Sequence, residues 1–273
     1  MPTIETGEIQ QYYETTGEGT PLVLVHGAFV DLHMWDPQVE HFADRYQVIC
    51  YDLRGHGKTG PSSASKYRME MFADDLRALL EALDVQQTIL CGLSLGGMIA
   101  QAFAVKYPSM LKALVLADTA VSTSLTLNDK FQRYILFPKW MMVATIRLMG
   151  VERFTRYSFW LAKVTRSEAW LGRDEGTRSY LEDRMLRITM EEYLKIYDAI
   201  YEFDIVDLGT IAVPALITIG EHESGSVYRH AEEMRRLIPG SQKIIVPGAG
   251  HTSNLEKPAE FNAILDEFLA SIP

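Results

Sequence analysis

Three short stretches of this chain hold residue types that together could attack a carbonyl group. The first is Gly92-Leu93-Ser94-Leu95-Gly96-Gly97, which follows an apolar run and opens a helical one. Glycines two positions either side of the serine allow a strand-to-helix turn too tight for Cβ-bearing neighbours, with the hydroxyl standing above the sheet edge. The helix start behind it offers unpaired N–H groups and a positive dipole end to a developing oxyanion. An ordinary serine N-cap would read the same way locally, so the motif takes its meaning from the other two. The second stretch is Val25-His26-Gly27-Ala28. Its glycine lets the chain turn so that the Ala28 amide joins that of Leu95 as an oxyanion donor. His26 ends a strand, a position that suits a structural hydrogen-bonder better than a general base. The third is Gly248-Ala249-Gly250-His251. Its glycine-flanked loop lets an imidazole reach Ser94, and it comes last in the order nucleophile, acid, histidine.

The elements that must position these residues are strands alternating with helices, the pattern of a mostly parallel sheet covered on both faces. Residues 3–16 read as an antiparallel hairpin turning near Thr6-Gly7-Glu8. Strands are expected at 21–26, 47–51, 88–92, 112–118, 214–220 and 243–246, with helices at 70–84, 96–107 and 258–270. The division is a core of residues 1–119 and 211–273, with an inserted segment of 120–210. Helices are expected there at 129–149, 152–164, 176–187 and 190–203. The insertion is rich in Trp140, Met141, Met142, Met149, Phe154, Tyr157, Phe159, Trp160 and Trp170. Most of these are expected to pack the inserted helices together, with a subset facing a cleft above the core.

Composition excludes other classes. The formal charge is 26 − 36 = −10 and the sequence pI is near 5.2, so nucleic acid and anionic membrane are poor partners. The N-terminus has neither a basic region nor an apolar core of a leader, and the apolar runs are strand-sized, so a cytoplasmic location is expected. Cys50 and Cys91 sit on strands expected to be separated by a third, about 9.5 Å apart, too far for a disulfide. Both read as buried free thiols. No His-x-x-x-His or Cys-x-x-Cys spacing suggests a metal, and Gly92-x-Ser94-x-Gly96 is not a dinucleotide turn.

Taken together, Gly92–Gly97, His26-Gly27, Asp52-Leu53-Arg54-Gly55-His56-Gly57 and Gly248–His251 resemble the α/β-hydrolase superfamily, and within it the esterase, lactonase, haloperoxidase-like and enol-lactonase members. The likeness spans nearly the whole chain, with 120–210 in the place of the variable helical cap. It implies an eight-stranded sheet, cap helices over the site, and no cofactor. Asp52 and Arg54 are expected to hold their loop rather than touch substrate.

The resemblance also implies an acid after the next-to-last strand, where similar proteins carry Asp. Here the register of Gly220-Glu221-His222-Glu223 puts Glu223 in that place. Asp118, at the end of the strand after the serine's helix, is the alternative, and Glu221 a further rival. The expected activity is acyl transfer through Ser94, His251 and the acid, on a small and apolar carboxylic ester. A lactone is the close alternative, then C–C hydrolysis or perhydrolysis. A ligand-binding protein without catalysis is the reading from another class. A small-molecule substrate is the expected partner, with the chain a monomer or homodimer.

Overall fold

The computed structural model describes residues 3–136, 138–165, 172, 174–204 and 206–272. Trp170 lies outside them. Eight strands form one sheet: β1 (Thr3–Thr6), β2 (Ile9–Thr16), β3 (Thr20–Val25), β4 (Tyr46–Tyr51), β5 (Thr88–Leu93), β6 (Leu111–Ala117), β7 (Ala215–Gly220) and β8 (Gln242–Val246). Their order across the sheet is β1-β2-β4-β3-β5-β6-β7-β8. β1 and β2 form the expected hairpin, which turns at Gly7 with φ +65°, and β2 also runs antiparallel to β4. Every other pairing is parallel.

The parallel strands read as continuous apolar runs because both sheet faces are covered. Successive side chains point to opposite faces, so β3 and β4 divide cleanly. Val23, Val25, Ile49 and Tyr51 enter one core cluster, whereas Leu22, Leu24, Val48 and Cys50 enter the other. Helix α1 (Asp36–Phe42) adds Phe42 to the second cluster. Helices α2 (Met69–Ala82) and α3 (Leu95–Lys106) bring Phe72, Leu76, Ile99 and Phe103 to the first. Cys50 on β4 and Cys91 on β5 are buried and free, with β3 between them as expected. Burial pushes both thiols above their ordinary pKa.

Between β6 and β7 the described residues hold helices and no strand. A short helix α4 (Leu127–Phe131) runs into a π-helical turn (Gln132–Leu136). Helix α5 (Lys139–Thr165) follows, bent at Gly150, whose φ of 76° leaves the helical region. The expected single helix over 129–149 is therefore broken, and α5 begins only after Pro138, which has no amide hydrogen to donate to a preceding turn. Helices α6 (Glu175–Leu186) and α7 (Met190–Glu202) match expectation, and each starts on a side-chain cap, Asp174 and Thr189. For the aromatic residues of α5 the expectation holds in part: Phe154 and Phe159 pack against the core clusters, and three other rings do not. Trp140, Tyr157 and Trp160 are exposed, at 73%, 44% and 57%. Tyr157 and Trp160 lie against each other on that exposed side, with ring centroids 5.9 Å apart.

After β7 come α8 (Gly225–Leu237), a helix not expected from the sequence, then α9 (Ser253–Glu256) and α10 (Pro258–Ala270). α10 supplies Phe261, Leu265 and Phe268 to the second core cluster. Among the described residues no single helix is long and apolar enough to cross a membrane. Asp129–Ile135 and Lys139–Leu161 meet that length and composition only together, across a 54° bend.

Candidate active site

Ser94 stands between β5 and α3 with φ 55° and ψ −114°. A non-glycine residue in that region is strained and persists only where the surroundings impose it. Here they do. A Cβ on Gly92 would meet the Gly96 carbonyl oxygen at 2.2 Å, and one on Gly96 would meet that of Val25 at 2.1 Å. The Ser94 amide donates to the Ala117 carbonyl at 2.9 Å. Its own carbonyl accepts from Thr119 Oγ1 at 2.6 Å.

His251 follows β8 on its glycine-rich loop, and its Nε2 lies 3.0 Å from Ser94 Oγ. Its Nδ1 is hydrogen-bonded to the Glu223 carboxylate, whose side chain is fully shielded from solvent. Glu223 Oε2 also accepts from the Ser224 amide at 2.5 Å. Burial pulls the imidazole pKa down, but the Glu223 charge and hydrogen bond outweigh it, with help from Asp118, and leave it above the ordinary histidine value.

The rival carboxylates are engaged elsewhere. Asp118 accepts from the Gly220 amide at 2.7 Å and from Ser253 Oγ at 2.5 Å. Its burial pushes its pKa up to about 7, with Glu223 adding to the rise and His251 opposing it. Glu221 reaches the Gly248 amide at 2.7 Å and so closes the turn that carries His251. Sequence reasoning did not foresee Ser253 or Thr119, since a lone hydroxyl leaves no spacing signal.

Ala28 and Leu95 both line the cavity in front of Ser94, and neither amide has an acceptor among the described residues. The loop carrying Ala28 is held from below. The Phe29 amide, at φ 64°, donates to His56 Nε2 at 3.0 Å, and His56 Nδ1 donates to the Arg54 carbonyl. Burial drops the His56 pKa to about 3, with His26 lowering it further, so the ring stays neutral and keeps Nε2 free to accept. His26 accepts from the Leu53 amide at 3.0 Å and donates to Gly27 O at 2.7 Å, the structural role expected of it. Asp52 receives the amides of Leu32 and Lys58, and Arg54 forks onto Asp75 at 2.5 and 2.6 Å.

The cavity has a volume of about 560 Å³ and a mostly apolar lining. The inserted segment contributes Leu181 and Met185 from α6 and Tyr197, Ile200 and Tyr201 from α7, rather than the aromatic residues of α5. Both helices are anchored to the core. Tyr180 Oη donates to Asp31 Oδ1 at 2.8 Å, and Arg184 pairs with the same carboxylate at 2.9 Å. Tyr193 stacks on Phe29 with ring centroids 4.1 Å apart. No group of three or more metal-binding side chains occurs among the described residues.

Residues 20–258 match the model of the α/β hydrolase fold family. This chain is an α/β hydrolase by family. Its eight-stranded, mostly parallel sheet is that fold. A relative of this α/β hydrolase is the 3-oxoadipate enol-lactonase 2 of Acinetobacter baylyi. It is 25% identical over 274 residues, which span 95% of this chain and 93% of the relative. Among solved structures, a thermophilic esterase from Thermogutta terrifontis is 28% identical, with a TM-score of 0.80 over 97% of this chain and 94% of that one. The enol-lactonase from Burkholderia xenovorans shares the fold, with a TM-score of 0.83 at 24% identity, covering 99% of this chain and 100% of the other.

Proposed function

We propose that this α/β hydrolase cleaves small carboxylic esters or lactones through an acyl-enzyme on Ser94. The observation that carries the reading is the unbroken chain from Ser94 Oγ through His251 to a shielded Glu223. In this reading His251 Nε2 takes the Ser94 proton as Oγ attacks the carbonyl carbon. The Ala28 and Leu95 amides hold the oxyanion, which is worth about 3–4 kcal/mol per donor in comparable sites. His251 then returns the proton to the leaving oxygen, and the acyl-enzyme remains. Water gives its proton to His251, adds to the acyl carbon and releases the acid together with free Ser94. Glu223 keeps the imidazole in the tautomer that accepts from serine and stabilises it once charged.

The apolar lining of the cavity supports a substrate with an apolar body. Residues 120–210 act as its cap, covering the site with α6 and α7. The lactone reading draws on the relative named as an enol-lactonase and uses the same groups with a cyclic substrate.

The test is hydrolysis of p-nitrophenyl esters of rising chain length beside two lactones, with wild type against Ser94→Ala and Glu223→Ala. The expected result is turnover that vanishes with the first variant and falls steeply with the second, and the ranking separates ester from lactone. An active-site phosphonate that labels Ser94 no faster than an ordinary serine would sink the reading and leave a binding protein.

A further inference from the structure

The large apolar side chains left at the surface are gathered on one segment. Of the eleven that are exposed among the described residues, ten lie between Leu127 and Val164, and the eleventh is Ile245. Scattered exposed apolar residues are ordinary, whereas a clustered set marks a contact surface. In α4 and the π-helical turn, Leu127, Phe131, Tyr134 and Ile135 follow a helical spacing of i, i+4, i+7 and i+8. In α5, Trp140, Arg147 and Leu148 share the outward side before the bend at Gly150. Arg153, Tyr157, Trp160 and Val164 share it after the bend. The opposite side of α5 is already occupied. Ile146 and Val151 enter the first core cluster, and Phe154 packs against it.

The same segment is basic on an acidic chain. Residues 127–165 hold seven Lys and Arg against two Asp and Glu, a net of +5, which leaves −15 on the rest. Lys130, Arg147 and Arg153 are exposed and form no ion pair among the described residues. Arg156 pairs with the exposed Glu152 at 3.2 Å. The overall charge of −10 argues against an anionic membrane only if it is evenly spread, and it is not. Beyond a Debye length of about 8–10 Å the acidic remainder is screened, so a surface touching this face meets its local positive charge.

The mixture of side chains names the occupant. Exposed Trp and Tyr rings suit the level of lipid headgroups, aliphatic side chains reach the acyl boundary beneath, and Arg and Lys heads meet the anionic groups above. A second copy of the chain fits less well, because a two-fold contact would set this basic face against itself.

We propose that α4, the π-helical turn and the outward side of α5 dock the protein on an anionic lipid bilayer, lying on its surface without crossing it.

Binding of the full chain is measured by co-sedimentation with vesicles of phosphatidylcholine alone and of phosphatidylcholine with about one third phosphatidylglycerol. The expected result is affinity at least about tenfold tighter for the anionic vesicles, falling as salt rises. Arg147→Gln and Arg153→Gln each weaken it by about fivefold. Leu148→Ser and Trp160→Ser weaken it with the salt dependence kept. Arg235→Gln, an exposed change on α8, leaves it as it was. Melting curves confirm that the variants fold. Equal affinity for the two vesicles, binding to neither, or equal losses in Arg235→Gln and Arg153→Gln overturns the docking face. Sedimentation without lipid covers the other occupant. Self-association that is lost in Leu148→Ser and Trp160→Ser, with no vesicle binding, assigns the face to a second copy and overturns the proposal.

Discussion

The carboxylate of Glu223 meets Nδ1 of His251 from the turn after β7, although its side chain is one methylene longer than the aspartate that the family resemblance implies there. The turn absorbs the extra length. The Glu223 amide donates to Gly220 O at 3.1 Å, and the His222 amide to Ala249 O at 2.8 Å, so the loops carrying acid and histidine are tied together. Shortening the side chain breaks that match. Glu223→Ala is expected to lower kcat by about 10³–10⁴, and Glu223→Asp by about 10–100-fold through misplacement. Asp118→Asn, which leaves the His251 contact in place, is expected to cost less than either. Steady-state rates of the three variants on one ester check the ranking, and a larger loss at Asp118 would transfer the acid's role.

The pH dependence follows from the same pair. Only neutral His251 can take the serine proton, and the Glu223 charge outweighs burial in setting its pKa above the usual histidine value. The acid limb of kcat/KM is therefore expected above about pH 6.5. Glu223→Gln removes the charge and leaves burial, so the limb moves down. For stability the sign is opposite in sense. A raised imidazole pKa adds stability below the unfolded value of about 6.5, and this is lost as pH rises through the folded value. A limb that stays in place in Glu223→Gln would show that another group sets it.

Steric closure at the serine turn predicts a stability effect free of any catalytic assumption. Gly96→Ala places a methyl 2.1 Å from the Val25 carbonyl oxygen, which cannot move without breaking the turn. A loss of about 3 kcal/mol or more is expected. Gly60→Ala meets nothing within 4 Å and has only its φ of +68° against it, so about 1 kcal/mol is expected. Urea denaturation of the two variants measures the difference, and equal losses would refute the packing argument.

Arg54 and Asp75 give a third case. Their side chains are 4% and 7% exposed, and the guanidinium forks onto the carboxylate. Asp75→Ala leaves the buried cation only the half-exposed Glu8 carboxylate, 3.1 Å from its Nη1, and is expected to cost about 3 kcal/mol. Because Arg54 O accepts from His56, which in turn holds Phe29 beside Ala28, kcat should fall as well. Normal melting with normal turnover would contradict both parts.

The sequence by itself determined the alternation of strands and helices, the turn around Ser94, and the place of His251 in the chain. These are local: apolar runs closed by glycine, and glycines where a backbone must pass within about 2 Å of a Cβ position. Which carboxylate meets His251 was decided only in three dimensions. Glu223 and Glu221 lie 28 and 30 residues before His251 and Asp118 lies 133 before it, and chain distance alone does not choose among them. Each took its partner from loops that meet on folding, across 28 residues for Glu223–His251 and 135 for Asp118–Ser253. The inserted helices follow the same rule. Their aromatic content was visible, but which side chains face the cavity depends on how α6 and α7 dock through Asp31 and Phe29.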